Sequence, residues 1–95
     1  MTDSSALLSE IVSLLDAPPS ERPARDVVEH TLTNGYAHAL LLETRRLRVE
    51  GRLRAAVRGE SGGEQEALAV ELAQADRELA HLRGLLSTLR ARALT

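Results

Sequence analysis

Three histidines are the residues of this chain with the clearest potential to hold a metal ion. His30 and His38 are eight positions apart, which separates them by about 80° around a helix, and His81 lies far along the chain. No two of them have the spacing of an HxxxH metal pair. The Glu-x-x-His pattern of di-iron bundles occurs once, at Glu78 and His81, without a second copy. We therefore predict no metal site and interpret the three histidines as surface or boundary residues.

Arg46 is the second candidate, because acids flank it at helical spacing. Glu43 lies three positions before it and Glu50 four positions after it, so both can form ion pairs with it on a helix. The guanidinium could bind an anion or a partner's carboxylate. Alternatively, the three side chains form an ion network that fixes the register of a helical seam. We favour the network and keep Glu43, Arg46 and Glu50 as a possible anion site.

An arginine-rich segment from position 45 to 58 could bind phosphates. The net charge of −2 and the single aromatic residue, Tyr36, argue against nucleic acid, because base stacking needs aromatic or well-placed arginine planes. We interpret the segment as a solvated face that the acids between positions 60 and 78 neutralise. The alternatives are a small nucleic-acid-binding regulator that uses the Arg45–Arg58 face and a bundle that binds a small anionic ligand near Arg46. The arginines are Arg45, Arg46, Arg48, Arg52, Arg54 and Arg58, and the acids are Glu60, Glu64, Glu66, Glu71, Asp76 and Glu78.

Signatures of catalysis and of cofactor binding are missing from the sequence. There is no cysteine, and therefore neither a disulfide framework nor a thiolate metal site. There is also no glycine-rich phosphate loop and no plausible Ser-His-Asp set. We predict a protein that is not an enzyme and that has no catalytic residues and no cofactor.

Composition also suggests where the protein works. No segment approaches the ~20 apolar residues of a membrane span, and the first residues lack the basic start of a signal peptide. We expect a cytoplasmic protein without membrane contact. All twelve basic residues are arginine, which we interpret as the codon bias of a GC-rich bacterial genome.

Breakpoints and apolar spacing divide the 95 residues into three helices of one domain. The first helix is predicted over 4–16, because Pro18 and Pro19 end it. The second is predicted over 21–58, with Ser20 as its cap and Pro23 in its first turn. A turn over 59–63, containing the Gly62-Gly63 pair, leads to a third helix over 64–94.

The second and third helices carry heptad seams that predict an antiparallel, coiled-coil-like hairpin. Facing residues have numbers that add to 124 or 125, so Gly35 is predicted to face Leu89 and Arg46 to face Leu79. We expect Gly35 to allow close helix approach, and a break of the second helix at Asn34-Gly35 is the alternative. The seam residues are Val28, Leu32, Gly35, Ala39, Leu42, Arg46, Val49, Leu53 and Ala56, and Leu68, Leu72, Ala75, Leu79, Leu82, Leu86, Leu89 and Ala93.

The e and b heptad positions of both helices form a second apolar surface, which we call the e/b face. The first helix is expected to cover only its open end, over Tyr36, Leu40 and Leu94, because thirteen residues span ~20 Å. The remaining stripe predicts a homodimer that forms a four-helix or six-helix bundle, and the lead function is a non-enzymatic interaction module that scaffolds or regulates another protein. Whether the first helix packs on its own hairpin or swaps between copies is left open. The e/b face comprises Tyr36, Leu40, Leu47, Val57, Ala69, Ala73, Ala80, Ser87 and Leu94, and the predicted interface is Tyr36, Leu40, Leu47, Ala69, Ala73 and Ala80.

Overall fold

The chain is all-helical in a computed structural model that describes residues 4–21, 23–59 and 62–94. Three α-helices follow one another: α1 (Ser4–Leu15), α2 (Arg25–Arg58) and α3 (Gly62–Ala93). The described residues contain no strand. α2 and α3 form the long antiparallel hairpin and α1 packs beside its open end, which gives an elongated molecule of 58 × 24 × 18 Å.

The start of α2 differs from the predicted boundary. The prediction began the helix at residue 21, whereas Pro19–Glu21 forms one 3₁₀ turn and α2 begins at Arg25. Proline disfavours the helical conformation for the residue before it, so a helix cannot easily run through Pro23 from position 21. Ala24 has extended backbone angles and makes no side-chain cap. The predicted cap at Ser20 is therefore wrong, because Ser20 lies inside the 3₁₀ turn.

α3 begins two residues earlier than the predicted boundary at residue 64. Gly59 follows the last residue of α2, and α3 already begins at Gly62. The Gly62-Gly63 pair is therefore the first turn of α3 and not a break. The Gln65 side-chain amide donates to the Ala56 carbonyl at 3.2 Å and ties the two helices together beside the tip.

The predicted seam forms the core of the hairpin. Its buried residues make one cluster at the open end and a smaller one near the tip. α2 is continuous through Asn34-Gly35, so the close-approach interpretation of Gly35 is confirmed. Its neighbour differs from the prediction, because Leu86 and not Leu89 lies against Gly35. The Gln65–Ala56 hydrogen bond and the Arg46–Asp76 ion pair, whose residue numbers add to 121 and 122, are displaced from the predicted register in the same direction.

α1 packs on the flank opposite to the one predicted. Tyr36, Leu40 and Leu94, the expected contacts, are 43%, 64% and 80% exposed. α1 instead covers the row of g positions, where Thr31 and His38 are buried and Leu85 is partly buried. We call Thr31, His38 and Leu85 the g flank.

Polar contacts accompany the apolar packing of α1. The Thr31 hydroxyl donates to the Glu10 carboxylate at 2.8 Å, and the Arg92 guanidinium donates to the Leu15 carbonyl. Leu7 and Ile11 enter the core shared by all three helices. The described α1 residues therefore pack on the hairpin of their own chain.

Candidate functional site

None of the described residues covers the e/b face, from Tyr36 and Leu94 at the open end to Val57 and Ala69 near the tip. Because α1 lies on the g flank, even the open-end residues that it was expected to cover remain exposed. Leu47 and Val57 are 60% and 55% exposed, which is far more than apolar side chains of this size show in a core. All six predicted interface residues lie exposed on this one surface: Tyr36, Leu40, Leu47, Ala69, Ala73 and Ala80.

Side-chain size divides the e/b face lengthwise. The α2 side carries large residues, with Leu40 and Leu47 one heptad apart, and we call these two the leucine ridge. The α3 side carries small residues at the matching b positions, and we call Ala73, Ala80 and Ser87 the small shelf. Another pair of helices can pack closely on this face only where its large residues meet the small shelf and its small residues meet the leucine ridge.

A row of ion pairs runs between the ridge and the shelf. Glu43 of α2 pairs with Arg83 of α3, and Arg46 pairs with Asp76 across the hairpin. Arg46 also contacts Glu50 at 3.3 Å, one helical turn further along α2. The predicted Arg46–Glu50 pair is therefore confirmed. The predicted Glu43–Arg46 pair is wrong, because Arg83 reaches Glu43 from the facing helix.

Arg46 is a half-buried cation with two acidic neighbours. The hydrogen bond from its guanidinium to Asp76 and the negative charge of Asp76 raise the pKa of Arg46, with a smaller contribution from Glu50. Its ordinary pKa is already far above neutrality. A raised pKa stabilises the folded state at every pH below the ordinary value, and the stabilisation disappears only when the pH rises through the raised value. Arg46 therefore keeps its charge across the neutral and mildly alkaline range.

We expect sulfate and phosphate to stabilise the wild-type protein and an Arg46→Gln variant equally, because Asp76 and Glu50 already neutralise this guanidinium. The measurement is the thermal midpoint of both proteins in millimolar sulfate, with sodium chloride of equal ionic strength as the control. A midpoint that rises in sulfate for the wild-type protein alone would identify an anion site at Arg46.

The arginine-rich segment of α2 is partly matched by acids of α3 and of α2 itself. Arg45 lies 3.8 Å from Glu78 across the hairpin, and Arg54 lies 3.7 Å from Glu50 within α2. Among the described residues no ion pair involves Arg48, Arg52 or Arg58. Glu60, one of the acids predicted to neutralise this segment, lies outside the described residues. Part of the predicted neutralisation therefore forms.

The histidines lie apart from one another. His30 and His81 are exposed, whereas His38 is buried on the g flank beneath α1. The interpretation of all three as surface or boundary residues is therefore wrong for His38, because the unexpected position of α1 removes it from solvent. Within the described part of the chain no group of three or more His, Asp or Glu side chains could hold a metal ion.

Two shallow grooves open on the e/b face. The first has a volume of about 350 Å³ and lies between Tyr36 and Leu40 on one side and Ser87 on the other. The second, about 420 Å³, lies between Leu47 and Ala80. Both border the Glu43–Arg83 ion pair and are one heptad apart. The shape of this part of the surface therefore resembles a face on which another helix can pack, and not a deep, enclosed ligand pocket.

Comparisons with known proteins and a search for membrane-spanning helices give no indication of the role of this face. The chain matches no protein-family model, and comparisons with curated proteins and with solved structures find no match either. In the part of the chain that the structure describes, no helix combines the length and the apolar character needed to cross a membrane.

Of the partners in the ion row, Arg83 is not among the residues singled out from the sequence, and Asp76 is named there only among the acids that neutralise the arginine-rich segment. Both occupy e positions of α3, beside the seam and opposite Arg46 and Glu43. Their signal was present in the predicted register, which sets α2 residues 43–46 level with α3 residues 79–82. Asp76 lies one turn before this stretch of α3 and Arg83 lies directly after it, so following the register a few residues in each direction finds both.

Proposed function

We propose that this chain is a non-enzymatic protein–protein interaction module whose hairpin pairs with a second copy through the e/b face. The observation that carries the proposal is the uncovered face itself, with its leucine ridge, its small shelf and its two open grooves. Long apolar stripes on small proteins usually mark an interface. Glu43, Arg46, Asp76 and Arg83 are already paired within each chain, so these four charges enter the contact as neutralised pairs.

The size of the exposed surface supports this proposal. The accessible area is 6603 Å² for a 10.3 kDa chain, whereas a compact monomer of this mass has ~5400 Å². The radius of gyration is 17.0 Å, against ~12 Å for a compact chain of this length. A hairpin about 20 Å wide and about 50 Å long offers on the order of 1000 Å² per copy, while a stable dimer needs about 800 Å² per partner.

We expect light scattering after size-exclusion chromatography to give twice the 10.3 kDa chain mass at high micromolar concentration. Leu47→Glu should weaken the dimer at least ~100-fold, because two-fold symmetry places the buried charge in the interface twice. A monomeric wild-type protein at that concentration would contradict the proposal.

Leu41→Glu is the matched control for this test. Leu41 is 62% exposed on the same helix, but it lies at a c position, outside the e/b face. The dimer should therefore tolerate this variant. Equal weakening by Leu41→Glu and Leu47→Glu would mean that the contact lies elsewhere or that added charge acts through folding, and circular dichroism of both variants separates these two cases.

The paired hairpins would act as a scaffold or regulator for another protein, in the cytoplasm. In this proposal the outer face of α1 remains available to that partner, since α1 lies away from the e/b face and Val12 is 41% exposed on it. A partner helix could lay its apolar side along α1. Val12→Glu should then weaken partner binding and leave the homodimer unchanged.

A further inference from the structure

We propose that the two copies pack through their e/b faces with both hairpin tips at the same end of the dimer, so that α2 of each copy lies on α3 of the other. This inference rests on the proposed self-association and specifies its geometry. The two-fold axis then runs along the length of the hairpin. The other face-to-face arrangement has the tips at opposite ends and places α2 on α2 and α3 on α3.

Side-chain size favours the arrangement with tips together. The ion pairs across the hairpin place Leu47 level with Asp76 and Leu40 level with Arg83. Leu47 of one copy then stands between Ala73 and Ala80 of the other, and Leu40 stands between Ala80 and Ser87. Each contact between copies joins one large row with one small row, so both helix pairs can have the same separation. With opposite tips, leucine meets leucine on one side and alanine meets alanine on the other.

Charge favours the same arrangement. The inner row of α2, at its e positions, carries the acids Glu43 and Glu50 and no base. The inner row of α3 carries Arg83 and Arg90 beside one acid, Asp76. Laying α2 on α3 sets Glu43 of each copy beside Arg83 of the other, so acids and bases alternate around the four helices at this layer. The acids of the next layer, Glu50 and Asp76, already share Arg46 within each chain. Laying α2 on α2 instead sets acids against acids, which costs binding free energy.

Spin labels on two glycines test this geometry. The chain has no cysteine, so Gly63→Cys and Gly84→Cys each give a single attachment point. A Cβ added at either position has open space around it. Gly63 lies at the tip, whereas Gly84 lies about two thirds of the way along α3 from the tip. The measurement is the distance between two nitroxides by double electron–electron resonance, at the concentration used for light scattering.

With the tips together, both labels should give distances below about 40 Å, because neighbouring helix axes are 8–10 Å apart. A short Gly84 distance with a Gly63 distance near the 58 Å length of the molecule would overturn this geometry and keep the dimer. If neither label gives a measurable distance and light scattering gives the mass of a monomer, both the geometry and the proposed function are overturned. Leu47→Glu in the Gly63→Cys background should abolish the short distance.

Discussion

Replacing Ile11 with alanine is expected to lower the free energy of unfolding by about 2–5 kcal/mol. Ile11 has no exposed surface and lies in the core that α1 shares with α2 and α3. The substitution removes buried methyl groups and leaves a cavity that the long hairpin helices cannot easily close. The loss is a large part of the stability of a domain of this size, which is typically 5–15 kcal/mol.

Val12→Ala is the matched control, because Val12 is the next residue of α1 and is 41% exposed. Its effect should stay below about 1 kcal/mol. Both variants are measured by urea denaturation with circular dichroism, at one protein concentration, since self-association adds to apparent stability. Equal effects of the two substitutions would contradict the packing of α1 on the g flank.

Gly35→Val is expected to destabilise the protein by about 1–3 kcal/mol, although valine is a better helix former than glycine. A Cβ atom at position 35 would lie 2.2 Å from a terminal methyl group of Leu86, which is only 1% exposed. Leu86 has little room to move in this packed layer, so the helices must separate. The cost of overpacking therefore exceeds the gain in helix propensity.

Gly51→Ala tests the same balance in the absence of crowding. Nothing lies within 4 Å of a Cβ atom at Gly51, so this substitution should stabilise α2 by about 0.5–1 kcal/mol. The two glycines of one helix should therefore give opposite signs in the same denaturation experiment. Adding Leu86→Ala to Gly35→Val should cost less than the sum of the two single changes. A stabilising Gly35→Val would contradict the close approach.

The hairpin and its e/b face could be predicted because both depend on short-range spacing. A heptad seam of leucines places its residues on one side of a helix whatever surrounds it, and a glycine at such a position indicates close approach. The end of α2 at Arg58 follows equally from the glycines beyond it. The start of α2 was less predictable, because Ser20 and Pro23 fit either a first helical turn or a separate 3₁₀ turn.

The position of α1 could not be predicted, because the Pro18-Pro19 linker limits distance but not direction. Counting apolar residues favoured the e/b face, since Thr31 and His38 make the g flank look polar. Thr31 is nevertheless fully buried, and its hydroxyl is satisfied by Glu10. One signal was available: Leu85, with Leu82 and Leu89, widens the apolar stripe of α3 towards the g flank.

The amino-acid sequence by itself determined three helices, the antiparallel pairing of the two long ones and the residues of the e/b face. These follow from periodicity and from proline and glycine, which act within a few residues of each position. Only the tertiary structure decided which flank α1 covers, and with it that the whole e/b face stays open. It also decided the ion partners of Glu43 and Arg46, because residues some thirty to forty positions apart meet only when the hairpin closes. α1 packs on the flank where it buries apolar side chains and where the buried Thr31 hydroxyl finds a hydrogen-bond acceptor in Glu10.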